Sequence, residues 1–327
     1  GQAQDEQTGF LYNAIALVDG QGELVLPYTD AYFGGYYVSD GGVVTQTYVE
    51  EGQTYYALDG SAPFAADYLK DHVFEEIESR EGVEFEKSTF IASATPFGDG
   101  AAVIVAGVSI SWWQSFAGGG DQYFEAYIID ETGEILARLP EEYSTVVVHG
   151  SFPAYARSAG YPSEGLIAAV ECHWEDGKTV SAGVDYIDYT GNVVLSLSDY
   201  VDGGPFREGL AWVKDRSGKY GFIDKTGALV IPCEYDGIGD YGFTDALSAV
   251  EKDGKWGYID QNGEVVIPFE YDAAYGYASG LAAVGKDGKF GMVDKNNAVA
   301  VPLVYDDISD EVFRKYVEDS FFKLYAV

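Results

Sequence analysis

Two cysteines, three histidines and one methionine are all that 327 residues contain of the sulfur and imidazole side chains. Two cysteines are too few for a disulfide framework, and Cys172 and Cys233 lack the spacing of a zinc site. Cys172 ends the apolar stretch GLIAAVEC and Cys233 follows Val-Ile-Pro, so both are read as small core or edge residues with free thiols. His72, His149 and His173 are too scattered for H-E-x-x-H, and neither G-x-S-x-G nor a Cys-His nucleophile pattern occurs. No catalytic residue, cofactor or structural metal is therefore assigned. Basic side chains are also scarce, 19 against 54 acidic ones, and a net charge of -35 repels phosphate backbones and anionic lipid. Nucleic acid is excluded as a partner. The longest run of low polarity, Ala101 to Trp113, falls short of the roughly 18 residues of a membrane span, and its Val and Ile content suits a buried strand.

What is present is apolar and aromatic: 47% of residues are hydrophobic and 15% carry rings. A chain of that composition buries enough surface to offset its ordering entropy, so it folds. The polar opening GQAQDEQTGF resembles the trimmed start of an exported protein, which sets the expectation of a secreted or envelope-associated location.

From Phe206 one passage recurs three times. FREGLAWVKDRSGKYGFIDKTGALVIPCEYDGI is followed by FTDALSAVEKDGKWGYIDQNGEVVIPFEYDAA and YASGLAAVGKDGKFGMVDKNNAVAVPLVYDDI. Gly221, Gly257 and Gly291 are 36 and 34 residues apart, as are Pro232, Pro268 and Pro302. The unit weakens towards the N-terminus, giving degenerate repeats over 98–205 and a half repeat over 1–27. Residues 28–97 read as an irregular insertion, with helical spacing from Ala65 to Glu78. Residues 307–327 read as a helical cap, opened by Asp310 and carried by Val312, Phe313, Tyr316, Val317, Phe321 and Leu324.

Each unit reads as three antiparallel strands. Gly-Leu-Ala-x-Val runs into a Lys-Asp-Gly-Lys hairpin, where Asp-Gly is a strong turn signal. The next strand, Trp256 to Asp260, places Trp256 and Tyr258 on one face, and an Asp-x-x-Gly turn leads to Glu264–Ile267. Pro268, lacking an N–H, is expected to close the third strand, and Asp272 to make an Asx turn into the next unit. The fold class is thus all-β: a tandem array of three-stranded antiparallel units, open and solenoid-like, with a closed propeller-like ring as the alternative.

The signature DGKWGYIDxxGxVVIPxxYD resembles the bacterial WG-repeat family, also called KWG repeats. The resemblance is specific over 206–306 and weak over about another third of the chain. Tyr220 and Phe290 stand where the second copy has Trp256, Ala246 replaces a glycine, and Asn297 replaces a turn glycine. Membership implies tandem β units in secreted, envelope-linked or effector proteins, and it implies no reaction.

A glycine beside a ring at fixed period suits a stacked β array, because a missing Cβ admits a neighbouring strand or ring. Tyr220-Gly221, Trp256-Gly257 and Phe290-Gly291 are therefore read as packing elements. Lys219, Lys255 and Lys289 are read as surface charges at turns, with an anion-binding row as the alternative. Acidity concentrates in 1–205, which holds 33 acidic and 6 basic residues. It serves solubility, steering of a basic partner, or weak divalent-cation binding, although no EF-hand loop is present. The leading functional expectation is a non-catalytic module that binds a protein or peptide on an extended surface. Glycan binding is the alternative, with Trp112 and Trp113 beside Gly118–Gly120 as ligand-facing rings. A hydrolase in the irregular N-terminal part is the third reading.

Overall fold

A computed structural model describes the side chains of residues 98–103, 126–130, 132–139, 162–170 and 181–306 except 182, 240 and 241, together with the backbone of further strands from Gln2 onwards. Every regular element among the described residues is a strand, every pairing is antiparallel, and no sheet closes into a barrel. The expected helix over Ala65–Glu78 and the expected cap over 307–327 lie outside the described residues, apart from Ala65, which ends a strand.

The chain divides into two compact units. In the first, Tyr37–Ser39, Gly42–Gln46, Gln53–Ala57 and Phe64–Ala65 form a four-stranded sheet in a stretch whose sequence matches no repeat. A second four-stranded sheet joins Thr89–Ala94, Ala101–Ser109, Gln122–Asp130 and Ile135–Arg138 in sequential order. Its fully buried centre is Ala102, Val103, Tyr127, Ile128 and Ile129.

Among the described residues the second unit holds four sheets. Sheet I contains Leu166–Glu175, Lys178–Asp188 and Val193–Leu197. Sheet II contains Tyr200–Gly203, Leu210–Asp215, Tyr220–Asp224 and Leu229–Tyr235. Sheet III contains Gly237–Thr244, Leu247–Lys252, Lys255–Asp260 and Val265–Tyr271. Sheet IV contains Ala273–Ala274, Leu281–Lys286, Lys289–Asp294 and Val299–Tyr305. In each, strands pair in chain order.

Sheets II to IV have four strands where the repeat reads as three. In sheets III and IV the extra strand is the segment after Tyr235-Asp236 and Tyr271-Asp272, in sheet II it is Tyr200–Gly203, and it escapes the sequence because it does not alternate. In sheet III its pairing jumps from Ile238–Val250 to Phe243–Ser248, and in sheet IV only Ala273 and Ala274 pair. Nor does proline end the last strand. Val265–Tyr271 runs through Pro268, and the register opposite Lys255–Asp260 slips from Trp256–Tyr271 to Tyr258–Ile267, so Pro268 to Glu270 bulge out of the ladder. A bulge leaves residues without ladder partners, so the missing N–H costs nothing there.

That bulge explains the signature glycine. An ideal Cβ on Gly257 would lie 2.7 Å from the Ile267 carbonyl oxygen and 3.0 Å from the Phe269 backbone nitrogen. Gly221 and Gly291 meet Ile231 and Val301 oxygens at 2.5 Å in the same way. The strand that closes on the glycine therefore belongs to its own sheet.

A tight turn opens the second strand of sheets II to IV, and both central residues have positive φ: Glu208 and Gly209, Asp245 and Ala246, Ser279 and Gly280. Ala246, at φ 66°, stands where the others have glycine. A left-handed conformation costs a residue with a Cβ about 1–2 kcal/mol, and glycine returns part of that through unfolded-state entropy. Ala246→Gly is expected to stabilise the protein by about 0.5–1 kcal/mol, read as a higher denaturant midpoint at unchanged slope. A lower midpoint would mean that the turn is not held in this conformation.

Candidate functional site

Alternation sends successive side chains of the third strand to opposite faces, so sheets II and III each pack on two neighbours. Ile223 joins Ala168, Val184, Tyr186 and Phe206 between sheets I and II. Phe222 joins Phe243, Val250 and Ile259 between sheets II and III, and Tyr258 joins Tyr277, Val284 and Val293 between sheets III and IV. A ring pair marks each junction: Tyr186–Phe206, Phe222–Phe243 and Tyr258–Tyr277, with centroids 4.9, 4.8 and 4.8 Å apart. The Tyr186 hydroxyl donates to the Gly204 carbonyl at 3.0 Å and that of Tyr258 to the Tyr275 carbonyl at 2.8 Å. Burial raises the pKa of both phenols, so both stay protonated donors.

The rings before the signature glycines do less. Tyr220, Trp256 and Phe290 are half-buried, whereas Phe222 and Tyr258, two residues on, are fully buried. The junction rings are legible only as the same face of the same strand at the repeat period, a signal overshadowed by the more conspicuous Trp-Gly pair.

The signature lysines are each matched to an aspartate 17 residues later. Lys219 pairs with Asp236, Lys255 with Asp272 at 2.5 Å, and Lys289 with Asp306. The second carboxylate oxygen of Asp236 accepts the Asp253 backbone N–H at 2.9 Å, and that of Asp272 accepts the Asp287 N–H at 2.7 Å. Asp272 thus bridges two sheets and is not the Asx turn expected of it. These matched carboxylates occupy the lysines, which removes the basis for an anion-binding row.

A second ladder runs through the positive-φ turns. Glu164 accepts the Gly209 N–H at 3.2 Å, Glu208 the Ala246 N–H at 2.9 Å, and Asp245 the Gly280 N–H at 2.7 Å. Lys225 and Gln261 add bonds to the carbonyls of Glu164 and Glu208. Each sheet therefore supplies the acceptor for an otherwise unpaired turn amide of the next.

Cys233 is a free thiol whose pKa burial and nearby Asp215 push up to about 11, which keeps it unreactive at neutral pH. Among the described residues no group of three His, Cys, Asp or Glu side chains is placed to hold a metal ion, and no helix is long and apolar enough to cross a membrane. Trp112, Trp113, His72 and His149 lie outside the described residues, as does the side chain of His173.

The last strand of each sheet presents apolar side chains to solvent. Val193 and Val194, Leu229 and Val230, Val265 and Val266, and Val299 are 41% to 59% exposed. They recur because Ile187, Ile223, Ile259 and Val293 pair in turn with Val193, Leu229, Val265 and Val299. The turn before the edge strand leans on the preceding edge: Gly227 lies 3.3 Å from Leu197, and Gly263 3.4 Å from Ile231, measured from an ideal Cβ.

Residues 186–219, 220–256 and 256–290 match the family model described as WG containing repeat. This stretch belongs to the WG-repeat family. The second and third matched units each start in the third strand of one sheet and end in the third strand of the next, and the first runs from the second strand of sheet I to the residue before the third strand of sheet II, so each WG repeat contributes to two sheets. No curated protein matches the chain at a significant level. Among solved structures, BamB from Moraxella catarrhalis is 13% identical, with a TM-score of 0.43 over 85% of this chain and 78% of that one. A eukaryotic initiation factor is 10% identical, with a TM-score of 0.45 over 91% and 72%. PorZ, a surface component of the type-IX secretion system of Porphyromonas gingivalis, is 10% identical, with a TM-score of 0.37 over 83% and 33%. Scores this low support no inference about activity or partner.

Asp224, Asp236, Asp272 and Asp294 titrate low. The Thr226 hydroxyl does this for Asp224, the Ala298 N–H for Asp294, Lys219 for Asp236 and Lys255 for Asp272. A folded-state pKa below the unfolded one contributes stability that is present above the ordinary carboxylate range and lost as pH falls through the lowered value. The ordinary carboxylates protonate first, near pH ~4, and shed part of the self-repulsion of the -35 charge. The melting midpoint is expected to hold or rise between pH 7 and about 4.5, then fall below about pH 3.5. A steady fall from pH 7 would show that these bonds carry no more than ordinary surface charge does.

Proposed function

We propose that this protein is a non-catalytic interaction module, secreted or associated with the cell envelope, which binds a protein or peptide on an extended surface of its repeats. The observation that carries the reading is the recurrence of exposed aliphatic side chains at one register position on four successive sheets. A contact surface repeated once per sheet fits a long polymeric partner better than a small molecule, which needs a single concave pocket. The WG signature supports the same division of labour: its glycines accommodate bulges, its lysines pair with aspartates, and the rings beyond it fill junctions. The repeat interior builds the scaffold, and the outer strands are left to recognise.

The test is capture of partners from envelope and host extracts on the immobilised chain, with a glycan array alongside. The expected result is a polypeptide that, once purified, binds saturably in isothermal titration calorimetry. Glycan recognition with no saturable polypeptide would overturn the reading.

A further inference from the structure

Resting on that reading, we propose that the outer edge of sheets I to IV is the docking surface and that its partner is a basic amphipathic helix. The row formed by Val193, Leu229, Val265 and Val299, each followed by a second small apolar residue, places one exposed aliphatic pair on every sheet. Three observations select the occupant.

The edges do not invite another strand. Sheets II to IV carry an exposed proline and a bulge in the edge strand, Pro232, Pro268 and Pro302, and both features blunt strand addition. Recognition must therefore run through side chains. Packed sheets repeat at roughly 10 Å, and a helix returns the same face every seven residues, or about 10.5 Å. A heptad of apolar residues can thus meet successive sheets.

Charge sets the rest of the partner. Every charged residue within the four edge strands or directly flanking them is acidic: Glu234, Asp236, Glu264, Glu270, Asp272 and Asp306. Lysines from neighbouring strands or turns pair with all of these except Glu264, so attraction comes mainly from the -35 charge of the whole chain. A second copy of the chain carries the same charge and is repelled. A helix with lysines or arginines flanking its apolar stripe is attracted and then held by the aliphatic row.

The probe is a fluorescein-labelled helical peptide of about 21 residues, with leucine at the apolar heptad positions and lysine and alanine elsewhere, titrated with the full chain. Saturable anisotropy is expected. Binding should weaken at least ~10-fold in the variant combining Val193→Thr, Leu229→Thr, Val265→Thr and Val299→Thr, and ~10-fold with a scrambled peptide of the same charge. Threonine keeps the strand preference, and an unchanged melting midpoint shows that the variant folds. A photo-crosslinker at Val265 in the otherwise unaltered chain should capture the peptide, giving a second readout. Equal affinity for the scrambled peptide, unchanged affinity of the threonine variant, no binding, or no crosslink would overturn the proposal. So would a dimer in sedimentation velocity that the threonine substitutions dissolve. A polypeptide from the extracts held equally by wild type and threonine variant would sink this surface while leaving the interaction module standing.

Discussion

Replacing Gly257 with valine is expected to destabilise the WG repeats by about 3 kcal/mol, the upper end of the usual overpacking cost. The cause is steric. Gly257 lies in extended backbone, and even the first added carbon would meet the Ile267 carbonyl oxygen at 2.7 Å and the Phe269 nitrogen at 3.0 Å. Both are backbone atoms, so relief requires the bulge around Pro268 to move. Gly254 provides the control: it has a φ of 75° and nothing within 4 Å of an added Cβ, so Gly254→Ala should cost only the ~1 kcal/mol of left-handed strain. Because a repeat array transmits damage mainly to nearest neighbours, hydrogen exchange in Gly257→Val should accelerate in sheets III and IV before sheet I. An unmoved denaturation curve with lost partner binding would instead make Gly257 part of a recognition site.

Tyr258→Ala should cost more, about 3–5 kcal/mol, because it empties the centre of the junction between sheets III and IV. Tyr258 is fully buried, faces Tyr277 at 4.8 Å, and packs with Tyr271, Val284 and Val293. Tyr258→Phe keeps the ring and leaves the Tyr275 carbonyl without its 2.8 Å donor, a loss of about 1 kcal/mol. Trp256→Ala, on the same face but half-buried, should fall below Tyr258→Ala. Urea unfolding of the three variants orders them. Should Trp256 prove the costliest, the weight assigned to the junction rings is misplaced.

The repeat period, the strand character and the Asp-Gly and Asp-x-x-Gly turns are legible in the sequence, for identifiable reasons. Asp-Gly pairs at 253–254 and 287–288 take the positive φ values that such hairpins require, and Asp260 caps its Asp-x-x-Gly turn through N–H bonds from Asn262 and Glu264. Local chemistry encodes such features. The fourth strand was not legible, because Ala273–Ala274 is two residues long and Gly237–Thr244 is interrupted by an excursion. Pro268 misled because its effect depends on whether the partner strand needs an N–H there, which is a property of the pairing and not of the residue. The ladders of Glu208 and Asp272 link turns that are 38 and 15 residues apart, beyond the reach of any local pattern. The exposed row escaped for a different reason: Val-Val before Ile-Pro reads like any strand, and only pairing shows which residues stay in water.

The central claim is that the WG repeats are joined sheet to sheet by carboxylates of one sheet gripping turn amides of the next. Residue-resolved amide hydrogen exchange measures this directly. The amides of Gly209, Ala246, Asp253, Gly280 and Asp287 lie in exposed or half-exposed turns yet donate to such carboxylates, whereas Gly254 and Gly288 sit beside them without one. The first group is expected to exchange at least ~10-fold more slowly than Gly254 and Gly288, after correction for intrinsic rates. Uniformly fast exchange across all seven would contradict the account.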